Sequence, residues 1–439
     1  MNHKLRSKII QCLNHTHFVP ACVMLGIVVR LLWIVLVNPE QIYDCRWYLR
    51  RAITMANGGG YSFEGTPTAY WPVGYPAFLA AQFWLFGPSE FLAKVVNILL
   101  YAMTTLLIYV LSRRIFKSEI AARITLAILC FYPNHIFYVA LLASEIWFTF
   151  LFALGAATLV YGNGRPMLLA LSGVVWGAAT LTKPQAVLVP IIFLLASSTN
   201  VRSFVRSSLL VFSVVGLVLT PWLYRNYVAL GKPLLSTNGG IVLMQGNNPY
   251  STGRHVWDSD VRSLLGALAP APDPTSPEGA DNMFDGKEVE REAAARSVGR
   301  HYILNNPVRT VLMWPKKLLA FYLTDVESVW FTFGQIHATW YGNRVFNVAI
   351  KIVGELYYVT MWILLGLSLP MVLRSRPIYW QVGLGIIVYF TLISLVFFGD
   401  PRYHFPVMPW VAMYAGVGAE LVLTPGRSTL LPLRSRTAR

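Results

Sequence analysis

Asp44 is the residue in this sequence with the clearest potential for chemistry. It lies in a polar, aromatic segment rich in Gly and Pro, Asn38–Pro76, which interrupts an otherwise apolar chain. The segment directly follows an apolar run, Phe18–Val37, of about 20 residues, enough to cross a bilayer. Asp44 is therefore expected just outside the membrane, where a partly desolvated carboxylate can accept a proton as a general base. Four cations lie near it in sequence: Arg46, Arg50, Arg51 and Lys94.

The composition is that of an integral membrane protein. Of 439 residues, 55% are hydrophobic and 13% are charged, and the mean hydropathy is +0.52. A soluble domain has about 25% charged residues. The net charge of +16 does not indicate nucleic-acid binding, because the basic residues form short runs between apolar segments, as the positive-inside rule requires. Four scattered cysteines predict no disulfide framework.

The apolar runs predict an all-α polytopic bundle of about ten transmembrane helices. The first run is too long for the core of a signal peptide, and we expect it to remain as an anchor. The expected spans are Phe18–Val37, Phe91–Leu111, Ile120–Tyr132, Val139–Tyr161, Met167–Leu181, Ala186–Ser197, Ser208–Leu223, Phe346–Leu373, Tyr379–Phe398 and Val407–Leu423. Three further helices are too short or too polar to span and are expected at the interface or in loops: Tyr75–Gly87, Gly286–Leu304 and Val311–Leu323.

The charge pattern predicts the orientation. Placing both termini in the cytoplasm puts nearly all basic turns on one side, and both long loops with most acidic residues on the other. We expect three parts: an N-terminal transmembrane module, 1–223, with a catalytic first outer loop over 38–90; an extracytoplasmic region, 224–344; and a C-terminal module with a basic cytoplasmic tail, 345–439. The expected location is the inner (plasma) membrane.

Several charged residues near span ends are candidates to bind a phosphate. Arg402 lies in a short outer turn between the last two spans, where a guanidinium can meet a lipid phosphate. Lys183 and Arg225 are further candidates, although snorkelling to the interface also explains them. Glu145 is costly inside a membrane and so is a functional candidate, with structural pairing to Arg30 as the alternative.

No cofactor is expected. The histidines at 135, 255, 301, 337 and 404 are dispersed without metal-ligand spacing, and Asp258 with Asp260 is an isolated D-x-D. The pattern therefore predicts no metal site, and a divalent ion stays open as an alternative.

The outer-loop sequence and its companions resemble the GT-C class of membrane glycosyltransferases. The similar branch groups protein O-mannosyltransferases, aminoarabinose transferases and related bacterial enzymes. The resemblance covers most of the chain in the right order. It rests on these residues and motifs: Asp44, Tyr48, Ala52, Gly60-Tyr61, Gly65–Ala69, Pro72–Pro76, Leu142–Glu145, Leu181–Pro184, Pro221-Trp222, Arg225-Asn226, Gly246–Pro249 and Asp400–Tyr403, with Pro406 and Pro409.

The resemblance implies a sugar donor carried on a polyprenyl monophosphate, and inverting transfer at the outer membrane face. It implies that Asp44 is the catalytic acid, acting as general base on the acceptor hydroxyl. It also places Tyr75 and Tyr403, within the matching motifs, beside the donor phosphate. The chain has Ala69-Tyr70-Trp71 where related enzymes carry a charged residue or His, so the subfamily and the lipid, glycan or protein acceptor stay open.

Two other classes compete with this interpretation. A lipid-linked sugar flippase or transporter usually shows repeated halves with broken helices at matching positions, and the halves of this chain do not resemble each other. A polymerase or ligase of the O-antigen type has a large late outer loop, which this chain also has, but its first loop carries the clearer motifs.

Overall fold

The computed structural model describes residues 3–270, 283–333, 343–375 and 377–425. The chain is almost wholly helical in these ranges, and its one sheet is a two-stranded antiparallel hairpin. The first half contains α1 (His3–Leu13), α2 (Phe18–Leu36), α3 (Tyr43–Ala56), β1 (Ser62–Phe63), β2 (Thr66–Pro67), α4 (Gly74–Phe86), α5 (Glu90–Phe116), α6 (Glu119–Cys130), α7 (Pro133–Tyr138), α8 (Ser144–Gly162), α9 (Pro166–Thr182), α10 (Val189–Ser197) and α11 (Val201–Leu230).

The second half has more short helices. It contains α12 (Gly239–Gly246), α13 (Ser259–Ser263), α14 (Glu288–Asn305), α15 (Pro307–Leu312), α16 (Trp314–Tyr322), α17 (Glu327–Phe333), α18 (Arg344–Arg374), α19 (Val382–Val396), α20 (Pro401–His404) and α21 (Met408–Leu423). Four 3₁₀ turns, Pro184–Ala186, Gly266–Leu268, Ile378–Gln381 and Phe405–Val407, extend or join these helices.

The predicted all-α membrane bundle is confirmed. Seven described segments are long and apolar enough to cross a membrane: Phe18–Leu36, Glu90–Phe116, Ser144–Gly162, Val201–Leu230, Arg344–Arg374, Ile378–Val396 and Pro401–Leu423. Two shorter apolar segments, Pro166–Thr182 and Pro184–Ser197, correspond to the fifth and sixth expected spans. The third expected span is the 12-residue α6, which is too short to cross a bilayer without distortion.

Local sequence explains where several long helices begin and end. Ser89, Ser118 and Asn200 each cap a helix by accepting a hydrogen bond from a backbone N–H in its first turn. Gly231 ends α11 in the left-handed conformation. This helix therefore extends beyond Leu223, where the seventh span and the N-terminal module were expected to end. The expected basic tail lies almost wholly outside the described residues.

The bundle centre is formed by α8 and α21, whereas α11 lies at the rim. About three quarters of the apolar window of each central helix is buried, against 11% for α11. Trp176, Trp410 and Phe152 pack in the core between the central helices and α9. The exposed apolar face of the rim helices is the surface expected to meet lipid.

The predicted short helices are present, with two changes. The expected helix at 75–87 is α4, and its last turn exposes Trp84, Leu85 and Phe86. The expected surface helix at 286–304 is α14, yet Glu288 and Glu292 are buried. The expected helix at 311–323 is interrupted at Met313 between α15 and α16.

The close contact of α18 with α21 yields a stability prediction. A Cβ at Gly418 would overlap the Leu364 carbonyl oxygen, whereas a Cβ at Gly366 in α18 would meet open space. We expect Gly418→Ala to destabilise the protein by about 1–3 kcal/mol through overpacking and Gly366→Ala to be neutral or slightly stabilising. Thermal unfolding midpoints in detergent measure both. Equal midpoints for the two variants would contradict the packing.

Candidate active site

Arg402 connects the predicted catalytic acid to the buried acid of the central helix. Its Nη1 donates to Asp44 Oδ2 at 2.7 Å, and its Nε donates to Glu145 Oε1 at 2.6 Å. Lys183 Nζ donates to the same Glu145 oxygen at 2.9 Å. The four side chains form one charge cluster, in which two carboxylates face two cations.

The cluster joins four regions that are far apart in sequence. Asp44 is in the first turn of α3, Glu145 in the first turn of α8, Lys183 directly after α9, and Arg402 in α20. The Asp44 side chain is 25% exposed, whereas that of Glu145 is 0% exposed. Asp44 is therefore the member of the pair open to a substrate, and Glu145 is the member that organises the cations from within.

Arg402 is held firmly by its own turn. The Asp400 carboxylate accepts a hydrogen bond from the Arg402 backbone N–H at 2.8 Å and caps α20. Gly399 donates its N–H to the Gly253 carbonyl, and a Cβ there would overlap the Lys317 carbonyl oxygen. The Asp400 carboxylate thus contacts the backbone of this turn, and the Arg402 guanidinium pairs with Asp44 and Glu145.

A buried lysine fixes the helix that precedes this turn. Lys317 Nζ donates to the Leu395 carbonyl at 2.9 Å, at the C-terminal end of α19, and to Asn247 Oδ1 at 3.0 Å. A cation is favourable at a helix C-terminus, but burial lowers the pKa of Lys317 to about 8. Asn247 comes from the predicted Gly246–Pro249 motif and donates to the Val396 carbonyl. This motif therefore supports the turn that carries Arg402.

The two predicted tyrosines lie near the cluster. Tyr75 is buried in the first turn of α4, packs edge-to-face on Tyr48, and places its hydroxyl within electrostatic range of Glu145. Tyr403 lies within electrostatic range of both Asp44 and Glu145. Their roles at the donor phosphate stay predictions.

Arg225 is engaged elsewhere. Its guanidinium donates to the carbonyls of Tyr61 at 2.6 Å and Thr68 at 2.8 Å, on either side of the β1–β2 hairpin. The buried Glu288 carboxylate accepts from the Thr68 hydroxyl and from the Ala69 N–H. Arg225 thus anchors the first outer loop, and the structure does not bring it into contact with Asp44, Glu145 or Lys183.

The alternative for Glu145, structural pairing with Arg30, is wrong. Arg30 is buried in α2, donates to the Gly26, Leu129 and Cys130 carbonyls, and lies over the Tyr101 ring. A guanidinium has five donors and tolerates burial when carbonyl oxygens and an aromatic face surround it. Glu145 takes its cations from α20 and from the residue after α9 instead.

Sequence reasoning missed Glu327, the first residue of α17. This carboxyl lies within electrostatic range of Asp400, Arg402 and Glu145. Burial raises the pKa of Glu327 to about 7, and the neighbouring Asp400 carboxylate contributes to the same shift. Its only sequence signal was an acid at a helix start, which is common in surface helices.

The described residues contain no group of three or more His, Cys, Asp or Glu side chains that could hold a metal ion. The expectation concerning metals stays a prediction.

The central ion pairs yield a second prediction. Replacing Glu145 by Gln leaves two cations beside a neutral group in a buried site, and removing one partner of such a pair costs about 3–5 kcal/mol. Glu119→Gln is the matched control, because Glu119 pairs with Arg113 and Arg123 while its side chain is 35% exposed, and exposed pairs contribute about 0–1 kcal/mol. Denaturant unfolding in detergent should separate the two. A Glu145→Gln variant as stable as the control would contradict the pairing.

The comparisons with known proteins agree with this architecture. Residues 71–224, about a third of the chain, match the family model described as dolichyl-phosphate-mannose-protein mannosyltransferase. No curated protein sequence matches the chain. The match includes the Tyr75 turn, Glu145 and Lys183.

Solved structures share the fold at low sequence identity. The apo oligosaccharyltransferase of Archaeoglobus fulgidus aligns with a TM-score of 0.52 and 12% identity, over 93% of this chain and 51% of that chain. The same enzyme tethered to an acceptor peptide gives 0.51 and 13%, over 93% and 50%. ArnT from Cupriavidus metallidurans bound to undecaprenyl phosphate gives 0.44 and 14%, over 92% and 77%.

The chain spans about half the length of the oligosaccharyltransferase that it matches. The similarity to that enzyme shows the fold, and the family match adds the sequence evidence within the first half of the chain. The fold and the match over 71–224 together confirm the predicted resemblance to the GT-C class of membrane glycosyltransferases.

Proposed function

We propose that this chain is a membrane glycosyltransferase that moves a sugar from a polyprenyl-phosphate-linked donor to an acceptor hydroxyl with inversion. The observation that carries the proposal is the contact of Arg402 with both Asp44 and Glu145. Together with the contact of Lys183 with Glu145, it puts one partly exposed carboxylate and two cations in one place. The description of the matching family, a dolichyl-phosphate-mannose-dependent transferase, supports the same donor class.

The chemistry follows from the leaving group. A phosphate ester leaves without general-acid help, so the site needs a base for the acceptor and positive charge for the departing phosphate. Asp44 accepts the proton of the acceptor hydroxyl while the oxygen forms its bond to the anomeric carbon. The bond from that carbon to the phosphate oxygen breaks, and the phosphate takes the electron pair.

Arg402 and Lys183 are the groups proposed to receive that phosphate. Their positive charges are balanced by Asp44 and Glu145, so the site without donor is close to neutral. A guanidinium has five N–H donors, and Arg402 uses three of them on the two carboxylates. Two donors therefore stay available for phosphate oxygens while Glu145 keeps the guanidinium in place.

The Asp44 role has a direct test. Asp44→Asn keeps the side-chain shape and removes the base, so we expect turnover to fall by about 10²–10⁴-fold. The measurement is release of free polyprenyl phosphate from a panel of polyprenyl-phosphate sugars, mannose included, by purified protein. Glu64→Gln is the control, since Glu64 is an exposed acid at the tip of the same loop. Near-normal turnover by Asp44→Asn would remove the catalytic assignment, and a flippase would release no polyprenyl phosphate at all.

The Arg402 role predicts a split between binding and turnover. Negative charge grows on the phosphate oxygens as the sugar leaves, and an ammonium cannot contact two oxygens in the guanidinium geometry. We therefore expect Arg402→Lys to retain part of the donor affinity and to lose disproportionately more turnover, and Arg402→Ala to lose both.

Arg123→Lys is the matched control for this replacement. The Arg123 and Arg402 side chains are similarly enclosed, 16% and 14% exposed, and both are paired with a glutamate. Donor affinity and turnover are measured for all three variants. A silent Arg402→Lys replacement would mean that Arg402 only balances charge.

The proposed membrane orientation puts both termini in the cytoplasm and the site outside it. Two exposed positions, Ser263 at the end of α13 and Thr199 between α10 and α11, lie on opposite sides in this scheme. In a background without native cysteines, we expect Ser263→Cys to react with an impermeant thiol reagent in intact cells and Thr199→Cys to react only after lysis. The reverse labelling pattern would place the site on the cytoplasmic face.

A further inference from the structure

A buried histidine and a buried aspartate lie next to the candidate site, within hydrogen-bonding distance of each other. His404 ends α20, two residues after Arg402, and Asp325 lies two residues before the start of α17. Their side chains are 1% and 0% exposed, and His404 Nε2 lies 2.9 Å from Asp325 Oδ1. Neither residue touches the donor site in the proposed function, so the pair needs another explanation.

Both ring nitrogens of His404 face an oxygen atom, so two hydrogens are needed for these two contacts. Nδ1 lies 2.5 Å from the Phe321 carbonyl oxygen, which can only accept, so Nδ1 carries a hydrogen. Nε2 faces a carboxylate oxygen, and that contact also needs a hydrogen, carried either by Nε2 or by Asp325. The pair therefore holds one proton more than a neutral imidazole beside a free carboxylate.

Asp325 extends this link to other parts of the chain. Its carboxylate also accepts from the Tyr132 hydroxyl and from Asn134 Nδ2, the latter at 2.7 Å. The Ser328 hydroxyl in α17 donates to Asn134 Oδ1. The network thus ties α20 to α17, to α7 and to the residue before α7, and every member has a partner, a condition under which buried polar networks rigidify a structure.

The network controls both sides of the Arg402 side chain. On one side, α20 carries the guanidinium to Asp44 and Glu145. On the other, Phe331 of α17 places its ring 5.2 Å from the guanidinium carbon. A shift of α17 against α20 would change the position of Arg402 between the ring and the two carboxylates.

We propose that His404 and Asp325 are positioning residues, whose shared proton fixes α20 against α17 and thereby aims Arg402 at Asp44. The effect of this positioning on donor binding rests on the proposed function. The geometric claim, that the pair supports the contact between Arg402 and Asp44, stands independently of it.

The test is the energetic coupling between Arg402 and Asp44. This coupling is obtained from a double-mutant cycle, which compares the unfolding free energies of wild type, Arg402→Met, Asp44→Asn and the double variant. The cycle is measured once with His404 present and once in the His404→Phe background. Phenylalanine removes both polar links and keeps a ring that can stack on Tyr358, which lies 5.4 Å from the His404 ring. We expect the coupling to be lost in the His404→Phe background.

The nearby His135 supplies a matched control. It is also buried, and its ring packs at 5.3 Å from Tyr101 and from Phe405. His135→Phe is the same chemical change without any contact to Asp325, and the coupling should persist there. Loss of coupling in both backgrounds would show a general effect of disturbed packing and overturn the proposal.

Asp325 offers a conservative rescue if His404→Phe does not fold. In Asp325→Asn, the new amide can donate a hydrogen bond to a neutral His404 and accept one from the Tyr132 hydroxyl. Asn134 can then turn its amide so that its oxygen faces the new amide and its nitrogen faces Ser328. The Ser328 hydroxyl accommodates this change because it can donate or accept. We expect Asp325→Asn to keep the coupling and Asp325→Leu to lose it. Equal coupling in the two variants would overturn the proposal.

Probe binding and turnover are also measured for the wild type and for the His404 and Asp325 variants, with undecaprenyl phosphate as the probe. A misplaced positioning group can cost about 100-fold in rate, so His404→Phe and Asp325→Leu should lower turnover by up to that factor while Asp325→Asn retains most of it. If wild type neither binds the probe nor releases it from a donor, the proposed function fails and the coupling alone decides the positioning claim. Unchanged coupling in His404→Phe rejects the positioning claim whatever the enzyme does.

Discussion

The fully buried carboxylate of Glu145 is the constraint on which the candidate site depends. An ionised carboxylate without partners is very costly in a low-dielectric interior, so its position requires cations within hydrogen-bonding distance. Arg402 and Lys183 meet this requirement, and each comes from the end of a different helix. The need to neutralise one buried charge therefore brings α8, the end of α9 and α20 together. Asp44 joins the same group through Arg402.

This arrangement separates the two acids by environment. Glu145 is enclosed and holds two cations, so its charge is used within the protein. Asp44 shares only one cation and is partly open, so it can meet an acceptor. Two similar side chains thus differ in role because one lies inside the bundle and the other lies at its edge.

The sequence located the helices better than it predicted the contacts of individual side chains. Hydropathy located the long helices, and motif order brought Asp44, Glu145, Lys183 and Arg402 into one hypothesis. Most of the cations near Asp44 in sequence bond to other residues, because the geometry of the helices and loops directs them away from it. Three of them bond as follows: Arg46 to Glu40 and the Gln41 carbonyl, Arg51 to the Ser62 carbonyl, and Lys94 to Asn38 and Glu90. The residue that pairs with Asp44 lies 358 positions away.

A backbone group that pairs with a side chain cannot be identified from the residue types in the sequence. Arg30 in the first span seemed to need an acid, yet carbonyl oxygens and an aromatic ring surround it. Arg225 seemed free to meet a phosphate, yet two carbonyls of the outer loop hold it. Glu288 seemed to be a solvated residue of a surface helix, yet it accepts bonds from Thr68 and Ala69. These partners are visible only once the chain is folded.

The contacts of Arg225 and Glu288 also bear on catalysis. A base contributes most when it is already in place before the transition state forms. Arg225 and Glu288 bind the residues that flank the β1–β2 hairpin, and Arg51 of α3 donates to the Ser62 carbonyl in its first strand, so α3 is tied to the hairpin that follows it. Asp44 lies in the first turn of that helix and pairs with Arg402. The late polar region of the chain therefore helps to position the loop that carries Asp44, the proposed base.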